Sequence, residues 1–281
     1  MQSKFSNNVL DATHAFTLQI KDKEQLKGLP ESALSLALSE AQKRQTEGYV
    51  FTLEMPSYYP FITYCEDREL RKTMYEAYNT RASEVGPNAR EFDNTKIMEE
   101  ILKLRHQLAK LLGFKSYAHY SLATKMADTP ETVLDFLNNL AQKSYSQGQR
   151  EVHALEEYAK GLGLDKLEPW DISFYSEKLR QEQYAYSEEE LRPYFPEDQV
   201  VLGMFECAHR LYGISLKERF GVDIWDDAVK CYDVYEDKFG QRIGSIYMDL
   251  YAREGKNGGA WMDECLTRRY RFDGALQLPW C

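Results

Sequence analysis

Between Asn94 and Leu112 the apolar residues Ile97, Ile101, Leu104, Leu108 and Leu111 recur at spacings of four, three, four and three. That rhythm gathers all five on one face of an α-helix and on no single face of a strand, so it commits the chain to a long amphipathic helix. Asp93 or Asn94 supplies its cap, Glu99 and Glu100 lie toward the positive end of the helix dipole, and Gly113 stops it.

The same period runs through the first two thirds of the sequence. Phe5, Val9, Leu10, Phe16 and Leu18 place a helix over residues 1 to 20. Pro30-Glu31 opens another, with Leu34, Leu38 and Ala41 on its apolar face and Gly48 at its end. Residues 49–53 read as a short extended piece closed by Pro56. A charged helix follows from Arg68 to Ser83, turning Leu70, Met74, Ala77 and Tyr78 inward. Thr129-Pro130 starts a further helix, with cap and first-turn proline in their preferred places. Ser187 and Glu190 have the spacing of a capping box, which explains the acidic run there better than a cation site does.

Beyond about residue 230 the period shortens to two. Lys230 to Glu236 and Arg242 to Tyr251 read as strands joined through residues 237–240, and Trp261 to Tyr270 as a third. Phe272-Asp273-Gly274 is a hairpin turn, so Leu276-Gln277-Leu278 begins a return strand three residues before the sequence ends. A strand cut so short leaves an unpaired edge, which suggests truncation. The fold expected is mainly α, with a small antiparallel sheet near the C-terminus. A helical region occupies residues 1–220 and a small β subdomain residues 221–281.

With 45 acidic residues against 35 Lys and Arg, the formal charge is −10. Phosphate backbones and anionic lipid surfaces are repelled, so neither nucleic acid nor membrane is expected as a partner. The cysteines Cys65, Cys207, Cys231, Cys265 and Cys281 are odd in number, widely spaced and form no C-x-x-C pair, the usage of reduced cytoplasmic thiols. The N-terminus has no apolar stretch of signal-peptide type.

None of His14, His106, His119, His153 and His209 belongs to an H-E-x-x-H pattern. Cys207 and His209 are two apart on a helix and diverge, as do Glu151 and His153. The run Gly255-Lys256-Asn257-Gly258-Gly259 lacks the spacing of a phosphate loop and reads as a connection between strands. There is no G-x-S-x-G elbow. The residues alone thus describe a helical protein with a small sheet and no complete catalytic or metal site.

Several stretches do carry a resemblance. They include Arg81-Ala82-Ser83, Asp93-Asn94 through Leu104-Arg105-His106, Leu111 to Phe114, Tyr117-Ala118 and Ser121 to Ala127. Pro169-Trp170-Asp171, Tyr175 to Lys178 and Leu191 to Pro196 follow, then Tyr247 to Glu254 leading to Gly258-Gly259-Ala260-Trp261. In this order, along nearly the whole chain, they resemble the thimet oligopeptidase family of zinc metallopeptidases. The resemblance implies a zincin-like, multi-helical fold in which residues 1–220 form part of a channel wall. It also implies cytoplasmic hydrolysis of short peptides. Members of that family carry zinc on an H-E-F-G-H helix beyond the point matching Pro279, with the glutamate as general base. These residues include no such helix, so no bound zinc and no activity are expected of the chain alone, and the missing catalytic lobe is an expected partner. Catalytic and metal residues are therefore none. If any residues touch substrate, they are Tyr247, Asp249, Arg253, Gly258 and Gly259; the alternative is that Tyr247 and Asp249 only buttress the sheet. A shortened, non-catalytic peptide- or partner-binding module is the second reading, and a remnant of a broken gene the third.

Overall fold

The computed structural model describes every residue except Glu254, and of Glu188 the backbone alone. Among the described residues the chain is mainly helical and divides into two compact units, Met1–Tyr186 and Ser187–Cys281.

The first unit opens with α1 (Gln2–Ala15) and β1 (Thr17–Ile20), continues through α2 (Glu31–Lys43), β2 (Tyr49–Thr52), α3 (Met55–Tyr64), α4 (Arg68–Asn79), α5 (Thr95–Leu111), α6 (Tyr117–Leu122) and α7 (Pro130–Gly161), and ends with α8 (Ile172–Tyr184). The helix expected over residues 1 to 20 stops early, because Phe16 turns extended and residues 17–20 pair antiparallel with β2. Tertiary pairing here outweighs the helical spacing of Phe16 and Leu18. The proline expected to close the extended piece instead opens α3 from within its first turn. A second proline, Pro60, sits inside that helix, where it removes a backbone donor. Burial of Tyr58, Phe61 and Ile62 compensates.

Those three side chains join Ile20, Leu26, Phe51, Leu53, Met74 and Ala77 in the core. The Phe51 and Phe61 rings meet edge-on with centroids 4.7 Å apart, and Tyr58 stacks on Tyr78. Helix α4 keeps the expected inward Met74 and Ala77, and buries Arg71 on the same side, one turn before Met74. The stripe on α5 forms as its spacing demands, yet Leu104, Leu108 and Leu111 stay exposed. On α7, Thr129 caps Thr132 N as expected, and Leu155 and Ala159 are buried while Leu134, Leu137 and Leu140 are exposed.

The second unit comprises α9 (Glu188–Leu191), α10 (Glu197–Tyr212), β3 (Ile214–Glu218), β4 (Lys230–Glu236), β5 (Gln241–Met248), β6 (Arg269–Tyr270) and β7 (Leu276–Gln277). Ser187 and Glu190 form the predicted box, each side chain bonding the other's backbone N–H at 3.3 and 2.9 Å. Secondary structure changes at Gly213, whose left-handed conformation ends α10 and lets the chain fold into β3. Helix α10 packs on β3, and both belong to the second compact unit, which begins at Ser187.

Strands β3, β4 and β5 form one antiparallel sheet in that order. The third strand expected over Trp261 to Tyr270 shrinks to Arg269–Tyr270, which pairs with Leu276–Gln277 around the predicted turn. Beyond the short return strand, residues 279–281 find partners of their own. The amide of Ser245 donates to Pro279 O at 3.0 Å and the amide of Tyr247 to Cys281 O at 2.7 Å, while Trp280 and Leu266 exchange bonds of 2.9 and 3.1 Å. Residues 279–281 therefore lie between β5 and Leu266. Gly244 permits that approach, since a Cβ there would stand 3.2 Å from the Pro279 ring.

Candidate functional site

Strand β5 delivers Tyr247 and Asp249 to one end of the sheet, and the turn after it returns two cations to the carboxylate. Arg253 grips Asp249 with both terminal nitrogens, at 2.7 and 2.8 Å, and Lys256 adds a third charged donor at 3.0 Å. The indole N–H of Trp225 supplies a fourth contact at 3.0 Å. The bidentate grip of Arg253, aided by Lys256 and Trp225, holds the Asp249 carboxyl well below the usual range, against its partial burial. Arg253 also pairs with Asp226 at 3.4 Å, and the Lys256 ammonium donates to the carbonyls of Asp249 and Tyr251.

With four donors converging, Asp249 has no oxygen left to take a proton from a substrate. Its chemistry is positional: it holds Arg253 and Lys256 at the end of β5 and fixes the direction of Arg253. We expect Asp249→Asn to destabilise the second unit by about 1–2 kcal/mol, the worth of charge-assisted bonds at a partly exposed site. Because the folded carboxyl titrates below its unfolded value, this stabilisation is present above roughly pH 4 and fades as pH falls through the depressed value. Urea unfolding followed by tryptophan emission measures it; an unchanged midpoint defeats the assignment.

Tyr247 lies between Trp225 and Trp280, with ring centroids 5.2 and 5.7 Å away, and its hydroxyl donates to Asp223 O at 3.2 Å. Burial raises its pKa. Thus three of the five predicted residues gather at Trp225 and Asp226: Tyr247 and Asp249 touch the Trp225 side chain, and Arg253 pairs with Asp226. Gly258 and Gly259 do not join them: they sit in irregular chain, where a Cβ on either would meet open space. Sequence reading missed Trp225, Asp226 and the role of Lys256. The available signal was the placement of Arg253 and Lys256 four and seven residues beyond Asp249, opposite charges in reach of one turn.

Four of the five histidines each meet a different polar side chain. His14 lies 3.6 Å from Glu54, His119 bonds Ser116 at 2.8 Å, His153 is 3.9 Å from Glu156, and His209 bonds Asp237 at 2.8 Å. Among the described residues no three His, Cys, Asp or Glu side chains converge as metal ligands. The described residues therefore offer no ligand set that fits a zinc ion.

The family model described as Peptidase family M3 matches residues 61–281. The chain belongs to peptidase family M3. Its similarity to oligopeptidase A of Escherichia coli (strain K12) is 52% identity over 278 residues, covering 99% of this chain and 41% of that protein. Oligopeptidase A of Haemophilus influenzae is 53% identical over 280 residues, with the same two shares, 99% and 41%. The probable cytosolic oligopeptidase A of Arabidopsis thaliana is 41% identical, covering 95% of this chain and 39% of its own. The chain thus spans about two fifths of the length of the M3 relatives it matches. Among the described residues no helix is long and apolar enough to cross a membrane.

Proposed function

We propose that these residues form a non-metal-binding part of a zinc-dependent oligopeptidase that hydrolyses short peptides in the cytoplasm, and that the chain by itself does not hydrolyse them. One conjunction carries the reading: residues 61–281 match a peptidase family, while no metal-ligand cluster assembles among the described residues. The peptide substrates are inferred from the names of the oligopeptidase relatives, and the compartment from the cytosolic relative and the scattered thiols.

The exposed stripes of α5 and α7 support a further part of this reading. Leu104, Leu108, Leu137 and Leu140 lie open at helical spacing, the pattern of faces that pack against other helices. Their proposed cover is the remainder of an M3 chain. Tyr247, Asp249, Arg253, Gly258 and Gly259 are proposed to line the substrate path, with Asp249 holding Arg253 in place and the two glycines leaving backbone open to a passing peptide.

The test is to purify the chain, measure its metal content by mass spectrometry, and follow cleavage of internally quenched peptides with and without added zinc. Substoichiometric zinc and no cleavage are expected. Zinc-dependent turnover by the pure chain overturns the proposal.

A further inference from the structure

In the second unit, the N-terminal half of α10 and the face of the three-stranded sheet enclose a cleft of about 350 Å³. Its floor is apolar, built from Val201 and Phe205 on α10, Leu216 on β3 and Tyr232 on β4. Phe205 meets Tyr232 edge-on at 5.0 Å, which fixes the floor. The rim is acidic: Glu197 and Asp198 stand on the first turn of α10 and Glu218 on β3, against the single cation Lys230. Lys230 lies 4.0 Å from Asp198, at the outer limit of an ion pair. Three carboxylates less one ammonium leave two negative charges uncompensated around an apolar floor.

The third feature is backbone. β3 is the outermost strand of its sheet, and no strand among the described residues pairs with its far edge. Unpaired edge N–H and C=O groups accept an extended chain as an added strand, and neighbouring pockets then select its side chains. An anionic headgroup or a nucleotide is repelled by the rim. A peptide satisfies apolar floor, acidic rim and open edge together. We propose that this cleft takes an extended peptide that adds to β3, seats an apolar side chain on the Val201–Phe205–Tyr232 floor and presents a lysine or arginine two residues away, on the same face of the added strand, to the rim carboxylates.

The cleft is separate from the Tyr247 strip. Met248 lines it, and successive strand residues point to opposite faces, so Tyr247 projects from the other side of the sheet. The inference rests on the peptide-directed reading above and adds the class of peptide.

Fluorescence anisotropy of the full chain with fluorescein-labelled Ala-Leu-Ala-Lys-Ala and Ala-Leu-Ala-Glu-Ala tests it. The lysine peptide is expected to bind about tenfold more tightly, with a preference that shrinks in high salt. Glu218→Lys should erase the preference, Glu218→Gln should reduce it, and Val201→Asp should weaken both peptides, with thermal melts checking that each variant folds. Equal binding of the two peptides, or a full preference surviving in a folded Glu218→Lys variant, overturns the inference. Its failure differs from that of the proposed function: loss of charge preference removes the cleft and leaves the inactive-segment reading intact, whereas cleavage of added peptide by the chain removes that reading and leaves the cleft.

Discussion

Replacing Asp171 with alanine is expected to cost the first unit about 3–5 kcal/mol, a large share of the stability of any domain of this size. Asp171 is fully buried at the start of α8. Arg68 donates to it at 3.1, 3.1 and 2.7 Å, Arg71 at 2.9 Å, and the amide of Glu168 at 3.1 Å. Arg71 is itself only 1% exposed. Its remaining donors serve the carbonyls of Cys65, Glu66 and Trp170, and its guanidinium stacks 4.0 Å from the Phe174 ring centroid. Alanine therefore removes more than a bond; it strands a buried cation without its counter-charge. Arg68 is half out in water, so Arg68→Gln should cost only about 1 kcal/mol. Urea unfolding of the two variants separates the cases. A loss below about 1 kcal/mol for Asp171→Ala would mean that Arg71 finds water or another partner, contrary to its burial.

The same network sets an acid limit. Burial pushes the Asp171 carboxyl up, but the hydrogen bonds from Arg68, Arg71 and the Glu168 amide outweigh it and hold it below the ordinary value. A depressed folded pKa contributes stability that is whole above the unfolded value near pH 4 and is lost as pH falls through the folded one. The network that ties α4 to α8 should thus be whole at neutral pH and loosen as pH falls below about 4.

What the sequence reveals follows from the range of the interaction that decides each element. The caps at Thr129 and Ser187 and the turn at Gly274 are settled within four residues, and they are where the sequence places them. Strand β1 is decided by its pairing with residues some thirty positions on, as Thr17 opposite Thr52 illustrates, and no local rhythm announces it. Helix α3 hides behind two prolines, because only the fully buried Phe61 makes their accommodation favourable. The site divides in the same way. Arg253 and Lys256 lie one turn from Asp249 and are visible as charge spacing, whereas Trp225 reaches it from 24 residues away and is not. The Arg71–Asp171 pair, 100 residues apart, leaves no trace beyond its membership of the Pro169-Trp170-Asp171 motif. Periodicity identifies which face of α5 is apolar, but not what lies against it.

That last distinction yields a second large effect. Phe61→Ala is expected to destabilise the first unit by about 3–5 kcal/mol, through lost burial of the ring and the cavity left behind. Phe61 is fully buried and wedged edge-on against Phe51, between a strand and two helices whose backbones cannot close the gap without losing their own contacts. Leu111→Ala, at the end of the most regular apolar stripe in the sequence, should change stability by no more than about 0.5 kcal/mol, because Leu111 is 84% exposed. Hydrophobic pattern ranks Leu111 as the stronger core residue; burial reverses the order. Parallel urea titrations of the two variants decide between pattern and burial. A Leu111→Ala loss approaching that of Phe61→Ala would show the α5 stripe already covered in solution, which in a purified chain requires self-association and would appear as a concentration-dependent midpoint.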